Sequence, residues 1–314
     1  MRVFGISDAD WIDFETVVST EPDQIALAPG QLRRYFHYKA ECPIREFFCF
    51  LSAPYEVRRD QWEDVSIAVY YHAGHEYNID RMIHAVRRSL GYYTRYSGPY
   101  QFREVSIVEF PRYSHYAQAF PGMIPYSEAV GFIARLDPSD ESQVDYPLGV
   151  TAHEMAHQWW GHQVAGGDVQ GATLMSEVLA QYCELMVLKA ETAPQQLRRH
   201  LQYNMDAYLR GRSGETKQEM PLALVENQGY LHYGKGSVVM WALQDYLGEE
   251  MVNRALARFA RDKAFQAPPY TNSTEFLQYL REATPPQMPT LIEDIDRPRG
   301  RRQPRLREGS AVTR

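Results

Sequence analysis

Apolar positions change period twice along this chain. From residue 45 to 72 it is rich in Phe, Tyr and Val, and two strands are expected, over 46–53 and over Val65–Tyr71. Pro54 and the charged stretch 58–63 are expected to separate them. The spacing then becomes helical: Ile79, Met82, Ile83, Val86 and Leu90 share one face behind a candidate cap, Asn78. Two more strand-like runs follow, Glu104–Phe110 and 124–135. After Pro147 the reading is almost wholly helical, with segments near 148–162, 173–190, 195–210, 233–247, 249–264 and 274–283. Ser273 is the expected cap of the last. Strands first and helices later predict an α+β fold. Residues 1–44 show no clear period, and no repeat is visible.

The length of 314 residues suggests about two domains. The N-terminus has no apolar core segment of a leader peptide. No apolar run reaches the ~18–20 residues that span a bilayer, so a soluble, cytoplasmic chain is expected by default. Net charge is −7. The last 18 residues hold seven Arg and one Glu, and without them 26 basic residues face 39 acidic ones. That acidic body argues against nucleic acid as a partner, since phosphate binding needs a basic footprint. A disordered tail is expected over 291–314, because 297–314 is Arg-rich and nearly without apolar side chains. Cys42, Cys49 and Cys183 form no CxxC and read as ordinary thiols.

The strongest chemical signal is HEMAH at 153–157. Positions i and i+4 lie on one helix face, so His153 and His157 can hold one zinc ion, with Glu154 beside it as general base. A surface helix with two histidines is the competing reading. A catalytic zinc site needs a third protein ligand and one open position. Glu177 opens the next helical segment, with Ser176 as a candidate cap. It reads as that ligand, or as a first-turn carboxylate that the helix dipole favours. Tyr233 precedes a Gly-Lys-Gly turn, and its hydroxyl could stabilise an oxyanion. Trp159 and Trp160 read as core, and His162 as a group behind the ligands or a satisfied polar residue.

HEMAHQWWGH, then Glu177, then Tyr233-Gly-Lys-Gly resemble the gluzincin zinc aminopeptidases of the aminopeptidase N and leukotriene-hydrolase type. The resemblance runs over about residues 42–285 and takes in CPIREFFCFLSA, Ser106–Pro111 and Tyr126–Glu128. More narrowly, GHQVAGGDVQGATLMSEVLAQY and IPYSEAVGFIA look like the peptidase-like domains fused to bacterial ABC transporter permeases. The resemblance implies a thermolysin-like catalytic domain over 76–290, mostly helical after a small mixed sheet. It also implies a partial N-terminal β-domain over 1–75. Carried over residue by residue, it implies one Zn2+ per chain on His153, His157 and Glu177, Glu154 as base, and Tyr233 as transition-state stabiliser, with Tyr230 the lesser candidate. Peptides are the implied substrates. A membrane transporter permease is the implied partner if the narrower likeness holds, and the alternative role is then that of a peptide-binding or regulatory domain. The oligomeric state is not indicated.

Three departures from the family pattern stand out. Nineteen residues rather than eighteen separate His157 from Glu177, and the additional one is expected in the loop at 165–168. Gly234 replaces the Glu of Tyr-Glu-Lys-Gly, which should loosen the setting of the tyrosine. Ungapped counting puts the exopeptidase motif Gly-Ala-Met-Glu-Asn at Tyr116-Ala117-Gln118-Ala119-Phe120. The glutamate that would bind a substrate's α-amino group is therefore Ala119, and Glu128 is the nearest acid downstream.

Overall fold

A computed structural model describes residues 10–137, 140, 143–226, 228–288, 292 and 295. Seven short strands come first: β1 (Trp11–Ile12), β2 (Glu15–Val17), β3 (Ile25–Leu27), β4 (Gln31–Arg34), β5 (His37–Lys39), β6 (Ile44–Arg45) and β7 (Leu51–Ala53). They pair antiparallel as β1–β6, β2–β5–β4 and β3–β7. The longer strands β8 (Glu56–Trp62), β9 (Val65–Tyr71), β10 (Glu104–Phe110) and β11 (Met123–Ser127) form one sheet in the order β11–β10–β9–β8. The β8–β9 pair is antiparallel, and the other two pairs are parallel.

The charged stretch expected to separate two strands is itself most of β8. It is the open edge of the sheet, where solvent takes up alternate polar side chains, so charge there does not forbid a strand. Of the expected strand over 46–53 only Leu51–Ala53 pairs. The run 124–135 keeps strand form only to Ser127. The chain then turns, with Gly131 N–H bonded to Ser127 O at 3.2 Å. Asn78 holds that turn: its amide donates to the carbonyls of Gly131 (2.6 Å) and Ala134 (2.7 Å) instead of capping the helix that follows it.

That helix, α1 (Ile79–Ser97), carries the chain from β9 to β10. Its apolar face and the Ile67–Val69 and Val105–Ile107 side of the sheet belong to the main core. The opposite side, through Ala68, Tyr70, Val108 and Met123, packs on Leu27 and Leu51 of the N-terminal strands. Covered on both sides, the central strands read as nearly continuous apolar runs.

Six helices complete the described chain: α2 (Tyr146–His157), α3 (Leu179–Glu191), α4 (Pro194–Gly214), α5 (Gly236–Leu247), α6 (Glu249–Lys263) and α7 (Ser273–Ala283). Residues 179–188 of α3 are all buried, as a helix without a polar face must be. Asn272, not Ser273, caps α7, accepting from Glu275 N–H at 3.1 Å, while the Ser273 hydroxyl donates to Ala223 O. Ile292 and Ile295 pack into the main core, and the rest of the expected tail, 291–314, lies outside the described residues. No helix among the described residues is long and apolar enough to cross a membrane.

Candidate metal centre

Helix α2 is set by its ends. The Asp145 side chain accepts from Leu148 N–H at 3.0 Å and pairs with Arg81 on α1, and Pro147 occupies the first turn. The helix lies close against α3, where a Cβ on Gly149 would stand 2.9 Å from Glu184 Oε1. This approach turns His153 and His157 together toward the start of α3.

Glu177 does not sit in an α-helical first turn behind a Ser176 cap. Leu174–Val178 is a π turn leading into α3, and Ser176 is buried within it. A π turn takes up one residue more than an α turn, so it can absorb the nineteenth residue and keep Glu177 facing α2. In the 165–168 loop, Gly167 N–H donates to Thr271 O at 2.8 Å.

The donor atoms of the three predicted ligands converge. His153 Nε2 is 3.1 Å from His157 Nε2 and 3.3 Å from Glu177 Oε2, and His157 Nε2 is 3.6 Å from Glu177 Oε2. Ligands on tetrahedral zinc with bonds of about 2.0–2.2 Å lie about 3.4 Å apart. His157 and Glu177 are each 1% exposed. Glu177 Oε1 and Glu154 Oε2 are buried without a hydrogen-bond partner. Two carboxylates held so deep need a cation. The donor set and the orphaned oxygens therefore fit a zinc ion.

Both imidazoles are oriented from behind. His157 Nδ1–H donates to Trp160 O at 3.0 Å. His153 Nδ1 lies 3.4 Å from Glu184 Oε2, and the Gln181 amide, 3.0 Å from the same nitrogen, donates to that oxygen at 2.8 Å. Glu184 Oε1 in turn is 3.3 Å from His200 Nε2 on α4. These contacts leave each Nε2 aimed at the centre. Burial would raise the Glu184 carboxyl, but His153 and His200 outweigh it and hold the group at about 2. Burial also works against charge on His153, yet Glu177 and Glu184 raise it to about 10, and a bound metal ion would take that proton's place. Glu177 sits well below the usual carboxylate range because His157 and His153 overcome its burial. Burial raises Glu154, partly opposed by the two histidines.

Tyr233 also lies on a π turn, Tyr230–Lys235, which opens α5. Its ring centroid is 6.0 Å from that of His153. Burial and the Glu177 charge push its hydroxyl up, so it stays protonated and can donate. Tyr230, the other candidate, stacks on Tyr208 of α4 instead. Gly234 does not loosen this turn. A Cβ there would lie 2.9 Å from Tyr208 N and 3.0 Å from Asn204 O, so glycine lets the backbone of α4 bear directly on it.

Residues 116–120 form an edge segment antiparallel to β11, with Phe120 N–H bonded to Met123 O at 2.7 Å. Two side chains beyond the end of the histidine helix hold it, and its Ala119 N–H favours the charged form of the Glu154 carboxylate. His162, driven by burial down to about 3 and hence neutral, donates from Nε2 to Ala119 O at 3.1 Å. Gln158 donates to Phe120 O and accepts from Gly122 N–H, both at 3.0 Å. Ala119 is fully buried, with no carboxylate of its own to offer the cleft. Trp159 and Trp160 are fully buried core residues. Sequence reasoning missed Glu184, Gln181, His200 and Gln158. Only Glu184 carried a usable signal, lying two turns after Glu177 on one helix face.

The family model described as the Peptidase family M1 domain matches residues 82–296. Over 189 residues the chain is 28% identical to Probable aminopeptidase 1 of Sulfurisphaera tokodaii, covering 56% of this chain and 23% of that protein. Human Aminopeptidase N is 25% identical over 210 residues, 64% of this chain and 22% of the relative. The chain thus spans a little under a quarter of the length of these relatives. A crystal structure of an M1 zinc metallopeptidase from Deinococcus radiodurans matches with a TM-score of 0.64 at 17% identity, over 93% of this chain and 64% of that one, a likeness of fold. With a family match over most of its length and a zinc-type donor set buried at its core, the chain belongs to peptidase family M1.

Proposed function

We propose that this protein hydrolyses peptide bonds at a single zinc ion held by His153, His157 and Glu177. The observation that carries the reading is the spacing of the three donor atoms, 3.1 to 3.6 Å, beside the buried and unpartnered Glu154 Oε2. Zinc bound there would supply the Lewis acidity that makes water a nucleophile near neutral pH and polarises a carbonyl. Glu154 takes the proton of the attacking water and hands it to the departing amine. Its raised affinity for protons suits both halves of that task. The protonated Tyr233 hydroxyl donates to the substrate oxygen as it gains negative charge.

All five residues lie within 76–290, the span we assign to catalysis, and the sheet beneath them borrows β8 and β9 from 1–75. The substrate's terminal ammonium, in our reading, gains no carboxylate at position 119, so recognition of a free N-terminus is weak. The likeness to permease-fused domains gains no support from relatives that are aminopeptidases, and a pure binding role gives Glu154 no task.

The test is zinc dependence. Glu177→Ala should lose both the bound zinc that supports turnover and peptide cleavage. Full cleavage of a peptide panel by metal-free protein, or by this variant, would refute the proposal.

A further inference from the structure

A second set of ligand-type side chains lies apart from the first and shares no residue with it. His75, Glu109 and Glu128 each place one donor atom within 4.8 Å of the other two. They come from the carboxyl ends of three adjacent strands: His75 follows β9, Glu109 is the penultimate residue of β10, and Glu128 comes directly after β11. Glu128 N–H bonds Phe110 O at 2.9 Å, which sets the two glutamates side by side. Ligands of open sheets with parallel strands collect at such carboxyl ends.

The charges around this cluster do not balance. The Glu109 side chain is 0% exposed. Its Oε2 accepts from His72 N–H at 2.6 Å, and its Oε1 meets His75 Nδ1 in a close contact. Among the described residues, the His75 imidazole is the only basic side chain with which it pairs. Among the described residues Glu128 pairs with Arg112 alone, at 3.5 Å, whose side chain is 69% exposed. Two neighbouring carboxylates, one wholly out of water, thus face one imidazole. A dication between them would relieve the repulsion.

We propose that His75, Glu109 and Glu128 form a second metal site, for a divalent ion of the zinc class. One imidazole and two carboxylates suit zinc better than calcium or magnesium, which prefer oxygen alone. The site would clip together the ends of β9, β10 and β11, next to the edge segment 116–120. It does not depend on what the first centre does.

The test counts zinc bound per chain after equilibrium dialysis against Zn2+. His75→Ala with Glu128→Gln changes only partly exposed side chains and leaves buried Glu109 in place. This variant should bind one zinc fewer than its parent. The same loss should appear when the pair is built into a His153→Ala, His157→Ala background, where it does not involve the first centre. A melting curve shows that each variant is folded. Equal zinc in variant and parent, in either background, overturns the proposal.

Discussion

Glu184 Oε2 lies 3.4 Å from Nδ1 of His153, on the far side of the imidazole from the converging donor atoms. The glutamate fixes which nitrogen carries the proton and strengthens the other as a ligand. Loss of such a partner costs about 10–100-fold in metal affinity. Glu184→Gln should therefore raise the zinc concentration giving half-maximal activity by about that factor. An unchanged concentration would mean that Glu184 merely fills space.

Gly234 gives an expectation opposite to the one drawn from the family's Tyr-Glu-Lys-Gly. A Cβ at this position meets the backbone of α4 at 2.9–3.0 Å, and backbone cannot swing aside. Gly234→Ala should cost about 1–3 kcal/mol by overpacking, and Gly234→Glu more. Thermal melts would register a drop of several degrees. A Glu variant as stable as wild type would show that α4 yields.

Ala119→Glu would set a carboxylate where the family motif carries one. Under the proposed loss of the amine anchor, this variant should lower KM for peptides with a free N-terminus and leave blocked peptides unimproved. Assays of matched blocked and unblocked peptides decide the matter. No selective gain would show that the amine, if it is bound at all, is bound elsewhere.

Burial, aided by the nearby Glu41 charge, raises Glu104 at the start of β10 to about 7, against an ordinary value of 4.5. The folded state therefore holds this proton more tightly than the unfolded chain. The group's cost to stability grows as pH rises from 4.5 to about 7 and is constant above. Glu104→Gln should relieve a cost on the order of 1–3 kcal/mol at pH 8 and far less at pH 5. Equal shifts in Tm at the two pH values would contradict this.

The metal-type cluster of His153, His157 and Glu177 was legible because its signal is local. An i, i+4 pair needs only a helix, and Glu177 follows one residue beyond the family's spacing. The match to Tyr-Glu-Lys-Gly favoured Tyr233 over Tyr230, and the stacking of Tyr230 on Tyr208 agrees with that order. The two π turns were invisible, since they shift hydrogen bonds without changing composition. β8 was hidden because an edge strand tolerates charge, and Asn78 and Ser273 because side chains suited to capping found better partners across the fold. Glu184 and His200 are joined only by tertiary packing of α3 on α4.

The most direct measurement compares zinc-loaded wild type with Glu154→Gln on one short peptide, reading metal content and turnover on the same samples. Both proteins should hold the same zinc, while the variant's kcat falls by at least about 10²-fold. A variant that keeps its zinc and its full rate would contradict the assignment of Glu154 as the base at this centre.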